Sequence, residues 1–110
     1  MTPAYVIARV TVTDPEAYAR YAEAASRAIR EAGGRILARG GAYVALEGEA
    51  RPRNVIIAFP SLEAAVAYWN SPAYQAARAL REGAAEIELC AVEGVEAPTM
   101  NPKDGTGEET

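Results

Sequence analysis

Residues 54–81, NVIIAFPSLEAAVAYWNSPAYQAARALR, combine an apolar strand, a capped turn and an interrupted helix. Residues 55–59 are continuously apolar, which is typical of a strand that is covered on both faces. Pro60 ends this strand, and Ser61 is placed to cap the helix that follows. Ser71-Pro72 interrupts the helix, because proline disfavours helical backbone in the residue before it, and then starts a second helical segment.

The side chains of these two segments predict a core and an aromatic wall. On the first segment we expect a buried stripe of Leu62, Ala65, Val66 and Trp69. On the second, the inward-facing set is either Tyr74, Ala77 and Leu80 or Ala73, Ala76, Ala77 and Leu80. Trp69 is a core anchor or, together with Tyr74 across the break, the aromatic wall of a pocket.

The N-terminal third of the sequence predicts a strand followed by an amphipathic helix. In residues 4–12, AYVIARVTV, the alternate residues from Val6 to Val12 face the helices, and Tyr5, Ile7, Arg9 and Thr11 face the other way. Asp14-Pro15-Glu16 is a helix start, and Gly33 ends the helix. Tyr18 and Tyr21 belong to its apolar stripe and face the core or reach a ligand pocket.

The middle and the end of the chain predict two further strands. Residues 35–39 form a short strand, and Gly40-Gly41 is a bulge or bend leading into a second short run at residues 42–46. Residues 47–53 form a polar turn, in which Arg53 is solvated or binds an anion. Residues 85–95 form an edge strand, since Glu86 and Glu88 share one face. Residues 1–96 therefore make one domain, and residues 97–110 are expected to be a flexible tail.

Composition excludes several classes of function. The 110 residues contain no His, so the chain supplies no imidazole base, Ser-His-Asp triad or His-ligated metal. Cys90 is the single cysteine and lies in an apolar run, which favours a buried thiol over a nucleophile. The net charge is −4, and the basic residues form no stripe that would bind nucleic acid. We expect a cytoplasmic protein with no cofactor, no metal, no nucleic-acid partner and no membrane span.

The order strand, helix, strand, strand, helix, strand predicts a ferredoxin-like βαββαβ sandwich of the α+β class. Its four-stranded antiparallel sheet has helices on one face and the first and third strands in the centre. The other face would then expose Tyr5, Ile7 and part of residues 55–59, so we expect a second copy to cover it in a homodimer. Arg9 would lie near the enclosed space, Arg39 would join it, and Glu47 or a ligand acid would balance the charge.

Six segments carry a resemblance to a known family. They are YVIARVTVTDPEAY (5–18), GGRILARGG (33–41), LEGEARPR (46–53), VIIAFPSLEAA (55–65), SPAYQAARALR (71–81) and VEG (92–94). With them the sequence resembles a family of small bacterial proteins, the domain of unknown function number thirteen-thirty in the dimeric α/β barrel superfamily. The resemblance implies the ferredoxin-like fold and a dimer with packed sheets, and it supplies no established activity. Ala58 and Ala73 stand where similar sequences often have an acid.

Three interpretations are compatible with these residues. One is a cofactor-free enzyme, of the monooxygenase or isomerase type, that acts on a small acidic or aromatic metabolite. Tyr18, Tyr21, Tyr74 or Glu47 would then transfer protons, and Arg9, Arg39 or Arg53 would stabilise an oxyanion. The alternative is a non-catalytic, stress-related module that binds a small molecule or an anion with the same arginines. A structural dimer without a ligand is a third reading.

Overall fold

A computed structural model describes residues 2–96 of the chain. The expected flexible tail at residues 97–110 lies outside the described residues, so it stays a prediction. The elements in chain order are β1 (Ala4–Val12), α1 (Pro15–Glu31), β2 (Arg35–Arg39), β3 (Arg53–Phe59), α2 (Leu62–Asn70), α3 (Pro72–Ala79) and β4 (Ala85–Glu93). None of the helices in this part of the chain is long and apolar enough to cross a membrane.

The four strands form one antiparallel sheet in the order β2-β3-β1-β4. This is the predicted α+β, ferredoxin-like arrangement, with β1 and β3 in the centre and β4 at an edge. Val6 lies opposite Ile57 on β3 and Ala91 on β4, so these side chains share the face that carries the helices. Along β1, burial alternates with residue number as a half-covered strand requires.

Side-chain caps fix the ends of the helices where the sequence places them. Asp14 Oδ1 accepts a hydrogen bond from the backbone N–H of Ala17 at 3.3 Å, and Ser61 Oγ accepts one from Ala64 at 3.0 Å. Ser71 has two roles, because its Oγ accepts from the Tyr74 N–H at 3.1 Å and donates to the Tyr68 carbonyl at 2.8 Å. These bonds satisfy backbone groups that the helix ends leave unpaired.

The core lies between the helices and the sheet. From α1 it takes Tyr18, Tyr21, Ala25, Ala28 and Ile29, which confirms the predicted stripe of that helix. Two of the predicted stripes are only partly right. On α2 the buried residues are Ala65 and Tyr68, while Leu62 and Val66 are 37% and 46% exposed. On α3, Tyr74 and Ala77 are buried, and Leu80 is exposed.

Strand β2 is shorter and more irregular than predicted. It ends at Arg39, and residues 42–46 are exposed and belong to no strand. The irregularity lies between Ile36 and Ala38, before the glycine pair, where β2 has one more residue than β3 opposite it. A bulge of this kind reverses the alternation of the side chains that follow it. Arg39 therefore points to the helix side, and its predicted position beside Arg9 is wrong.

The sheet surface opposite the helices, called the helix-free face below, is mixed in character. On β1 and the paired strands it consists of Tyr5, Ile7, Arg9, Thr11, Asn54, Ile56, Ala58, Glu86, Glu88, Cys90 and Val92. Cys90 lies here and is exposed, which corrects the expectation of a buried thiol. Arg51 crosses one end of this face, donating to Thr11 Oγ1 at 2.8 Å and to Glu86 at 3.1 Å.

Candidate functional site

A small cavity lies between α1, the α2–α3 corner and the sheet. Its volume is about 40 Å³, which is room for about three water molecules. Val, Ile, Leu and Ala side chains from the sheet and α1 form its apolar walls. The polar residues of this tyrosine cavity are Tyr18, Tyr21, Ser26, Arg39, Arg53, Tyr68 and Tyr74.

The tyrosines form one connected aromatic cluster. The Tyr21 and Tyr74 hydroxyls are hydrogen-bonded at 2.9 Å in the buried interior. The Tyr74 ring centroid lies 6.2 Å from that of Tyr21 and 4.9 Å from that of Tyr68. Tilted and edge-on contacts of this kind add stability beyond the buried area alone. Tyr74 is at the centre of the cluster, because its ring contacts those of Tyr21, Tyr68 and Trp69.

Burial keeps the phenols of Tyr21 and Tyr68 protonated. It raises the pKa of Tyr21 well above the ordinary value of 10.0, and the neighbouring Tyr74 raises it further. Burial likewise raises the pKa of Tyr68, with a second contribution from Tyr74. At neutral pH both side chains are hydrogen-bond donors and acceptors without charge. Neither of them is a general base at that pH.

Two arginines give the tyrosine cavity its charge. The guanidinium of Arg53 lies 5.2 Å from the centre of the Tyr18 ring, and its buried Nε has no hydrogen-bond partner. Arg39, which is exposed, lies where the cavity meets solvent and donates to Ser26 Oγ at 3.4 Å. No carboxylate lines this cavity within the described residues. The site is therefore cationic, with apolar and aromatic walls.

A third arginine contacts the cluster from the end of α3. The Arg81 guanidinium lies 5.3 Å from the centre of the Tyr21 ring and donates to the Tyr74 hydroxyl at 3.4 Å. Its Nε is buried without a partner. An arginine stays charged even when half-buried. Arg81 therefore polarises the Tyr74 hydroxyl, which in turn is bonded to Tyr21.

An apolar groove runs beside the tyrosine cavity, between α2 and the edge strand β4. It has a volume of about 200 Å³. It is lined by Val6, Ala65, Val66, Tyr68, Trp69, Leu89, Cys90 and Ala91. Trp69 is half-buried here, its ring centroid 5.3 Å from that of Tyr74. The Arg78 guanidinium lies 5.0 Å from the centre of the Trp69 ring.

The structure brings five of the nine predicted site residues into one cavity. They are Tyr18, Tyr21, Arg39, Arg53 and Tyr74. Trp69 lines the neighbouring apolar groove.

The remaining three candidates lie elsewhere. Tyr5 and Arg9 are on the helix-free face, and Glu47 is exposed in the segment between β2 and β3. Arg9 shares a polar surface hollow with Glu49, Glu86 and Glu88, which are the carboxylates that surround it.

Sequence reasoning missed Tyr68, Ser26 and Arg81. Residues 62–69, LEAAVAYW, are apolar nearly all the way round a helix, so they define no single buried side. The signal for Tyr68 was its spacing of three residues from Ala65, which puts both side chains on one face. Ser26 lies on α1 beside the apolar stripe, three residues before Ile29, which puts it at the edge of the buried face. For Arg81 the sequence carried no signal beyond its position after α3.

This arrangement offers a ligand cationic donors, neutral hydroxyls and aromatic surface. Guanidinium groups bind planar anions such as carboxylates through paired hydrogen bonds. The unpartnered Nε of Arg53 needs an acceptor, since a buried donor without one is costly. The site therefore fits an anion that carries an aromatic or apolar body.

A comparison of the sequence with known protein families identifies the family of this chain. The family model "Domain of unknown function (DUF1330)" matches residues 3–95. The chain belongs to that family, as the resemblance in its motifs predicted. No curated protein matches the sequence.

Solved structures share the fold at low sequence identity. A protein of unknown function from Rhodopseudomonas palustris has a TM-score of 0.70 at 22% identity, covering 87% of this chain and 85% of its own. A cofactor-independent oxygenase from Streptomyces nogalater has a TM-score of 0.60 at 12% identity, with coverages of 91% and 98%. A dimeric ferredoxin-like protein of unknown function from Thermobifida fusca has a TM-score of 0.56 at 18% identity, with coverages of 86% and 92%.

Proposed function

We propose that the tyrosine cavity binds a small acidic aromatic metabolite and that the protein acts on it as a cofactor-free enzyme of the monooxygenase type. The observation that carries this proposal is the pairing of Arg39 and Arg53 beside four tyrosines with no carboxylate among the described lining residues. The Streptomyces nogalater oxygenase, which has the same fold, is a cofactor-independent enzyme.

The chemistry follows from the groups in the cavity. In cofactor-free oxygenation the substrate is the reductant: an acidic methylene becomes a carbonyl, one oxygen atom of O₂ enters the product, and the other leaves as water with the methylene hydrogens. The described lining residues include no carboxylate or imidazole base, so the substrate must itself be acidic enough to form an enolate. Arg53 and the hydroxyls of Tyr18 and Tyr21 then stabilise the enolate oxygen.

A second candidate is a non-catalytic module that holds an anionic metabolite. The observation that favours it is the absence of a carboxylate or imidazole base among the described lining residues, where the pKa values of Tyr21 and Tyr68 are raised. Such a module would use the same arginines as the enzyme. Turnover separates the two functions, whereas binding does not.

We also propose a homodimer formed through the helix-free face. Ile7, Ile56 and Val92 share that face, and the helices cover only the opposite one. A second copy would cover these apolar side chains in a two-fold arrangement. The fold relative from Thermobifida fusca is described as dimeric. A cytoplasmic location stays a prediction.

Binding is tested with benzoate and with biphenyl-4-carboxylate by thermal shift and calorimetry. We expect both acids to raise the melting temperature. We also expect a roughly tenfold loss of affinity in each of two variants, Arg53→Gln and Arg39→Gln, because each loses a charged hydrogen bond to the acid. Arg35→Gln is the matched control, because Arg35 pairs with Ala58 on the other side of the sheet. Unchanged affinity in both cavity variants would contradict the proposal.

Turnover is tested with indane-1,3-dione, an aromatic diketone whose methylene is acidic enough to ionise near neutral pH. We expect consumption of O₂ and formation of the trione without added metal, flavin or haem, and loss of that rate in Arg53→Gln. Binding of the acids without any O₂ consumption would favour the non-catalytic module.

A further inference from the structure

The tyrosine cavity and the apolar groove are neighbouring spaces that share a wall. Three residues, Val6, Tyr68 and Leu89, line both of them. Val6 and Leu89 belong to the sheet and form a common floor. The remaining shared residue, Tyr68, comes from α2 and stands between the two spaces, 4% exposed.

With the Tyr68 ring in place, the tyrosine cavity is too small for an organic ligand. Its 40 Å³ contrast with the 200 Å³ of the apolar groove. Pockets for small molecules usually have volumes of roughly 300 Å³ and above. The combined volume of the cavity, the groove and the Tyr68 ring approaches that size. Displacement of one side chain therefore converts a water-sized cavity into a ligand-sized site.

Tyr68 is suited to such a displacement. Its neighbour Tyr74 is held by hydrogen bonds to Tyr21 and Arg81. Within residues 2–96 no hydrogen bond to the Tyr68 hydroxyl is found, so its ring is held by packing, with Phe59 and Tyr74 as aromatic neighbours. Rotation of this ring breaks no hydrogen bond.

We propose that Tyr68 divides a single elongated binding site, whose ligand is an aromatic acid with an extended apolar body. The acid group binds Arg39 and Arg53, and the body passes the position of the Tyr68 ring into the groove beside Val66 and Trp69. Charge complementarity selects the acidic end, because the described lining residues of both spaces include no carboxylate. This inference rests on the proposed function of the tyrosine cavity and specifies its ligand class.

The test compares a short acid with a long one of the same chemistry. Benzoate fits the space that the Tyr68 ring vacates, whereas biphenyl-4-carboxylate needs the groove as well. We expect the biphenyl acid to bind at least about tenfold more tightly than benzoate, because burial of one further aromatic ring adds to the binding free energy. Trp69 is the single tryptophan of the chain, so its fluorescence should change with the biphenyl acid and not with benzoate.

Two variants isolate the groove and the wall. Val66 is 46% exposed, so Val66→Arg should fold normally while placing a charge in the groove. We expect it to remove the preference for the biphenyl acid and the Trp69 signal. Tyr68→Ala removes the ring that must be displaced, so both acids should bind more tightly. The gain is about tenfold if the arrangement with the ring displaced is a minor state of the wild-type protein. Circular dichroism checks that each variant is folded.

The outcomes separate this inference from the function on which it rests. If Val66→Arg keeps the preference for the biphenyl acid, the groove is not part of the site, and the cavity proposal stands on its own. If Arg53→Gln and Arg39→Gln leave the affinity for both acids unchanged, the cavity proposal fails and the inference with it. If neither acid binds wild type or Tyr68→Ala, both are overturned. A change in light-scattering mass for Val66→Arg without an effect on the acids would assign the groove to a second copy.

Discussion

At the residue scale, the Tyr74 hydroxyl is the centre of the buried polar network. It is bonded to Tyr21 at 2.9 Å and accepts from Arg81 at 3.4 Å. Tyr74→Phe leaves the other two groups without this partner, whereas Tyr21→Phe leaves Tyr74 still bonded to Arg81. We expect losses of unfolding free energy of about 1–3 kcal/mol for Tyr74→Phe and about 0.5–1.5 kcal/mol for Tyr21→Phe. Urea denaturation measures both, and equal losses would contradict the shared role of Tyr74.

The raised tyrosine pKa values predict alkaline instability. Burial raises the pKa of Tyr21 and of Tyr68 in the folded protein above the ordinary value of 10.0. The unfolded chain therefore loses these protons first, so stability is fully present below pH 10.0 and falls as the pH rises towards the folded-state values. The slope is at most about 1.4 kcal/mol per pH unit for each group.

Urea denaturation measures this slope between about pH 9 and about pH 11, a range that spans the ordinary tyrosine pKa. Tyr68→Phe removes one of the two groups and should make the decline shallower. Tyr43→Phe is the matched control, because Tyr43 is 46% exposed. A decline that is the same in wild type and in Tyr68→Phe would rule out a contribution from Tyr68.

The residues that the sequence predicted best are those of α1. Its polar and apolar sides differ strongly, so Tyr18 and Tyr21 could be assigned to the core from spacing alone. Tyr68 escaped the same reasoning because α2 is apolar on almost every side. Only the packing of the Tyr68 ring against Phe59 and Tyr74 decides which of its apolar residues is buried.

At the element scale, the corner between α2 and α3 depends on Ser71. This side chain caps α3 and also bonds the last turn of α2, whereas Ser61 caps α2 alone. We expect Ser61→Ala to cost about 1 kcal/mol and Ser71→Ala about 2 kcal/mol of unfolding free energy. Chemical denaturation of both variants measures the difference. A Ser71→Ala loss no greater than that of Ser61→Ala would contradict the double role.

The segment after β2 positions Arg53 through a close backbone approach. Gly40 has φ +65, and a Cβ at this position would lie 2.5 Å from Arg53 Nη1. Gly33 has φ +83 with nothing within 4 Å of its own Cβ position, which makes it a matched control. We expect alanine at either site to cost about 1–2 kcal/mol through backbone strain.

Ligand binding should distinguish these two glycines. Gly40→Ala displaces the Arg53 guanidinium and should weaken benzoate binding, whereas Gly33→Ala should leave the affinity unchanged. Calorimetric titration of the folded variants measures this. Equal benzoate affinity in the two variants would show that the position of Arg53 does not depend on Gly40.

The bulge in β2 marks the limit of prediction at this scale. A one-residue irregularity between Ile36 and Ala38 moved Arg39 from the predicted helix-free side to the tyrosine cavity. Alternation along a strand predicts side-chain direction only where the strand is regular. The double glycine at residues 40 and 41 suggested a bulge a few residues later than its true position, so the side of the sheet was assigned wrongly.

At the scale of the whole molecule, the topology was predictable because β3 is apolar on both faces. A strand of that composition belongs in the centre of a sheet, and β3 lies between β2 and β1. The same composition leaves Ile56 and Ala58 on the face that carries no helix. The tyrosine cavity could not be predicted in this way, because it forms where three helices meet the sheet and depends on their relative positions.

The proposed homodimer gives a prediction with an internal control. Val92 lies on the helix-free face and Val66 on α2, and each is 46% exposed, so the two differ mainly in location. We expect Val92→Glu to weaken the dimer, since each copy would bring an unpaired carboxylate into an apolar interface. Val66→Glu should leave the dimer intact. Multi-angle light scattering over a dilution series measures both, and a monomeric wild-type protein, or equal dissociation of the two variants, would contradict the interface.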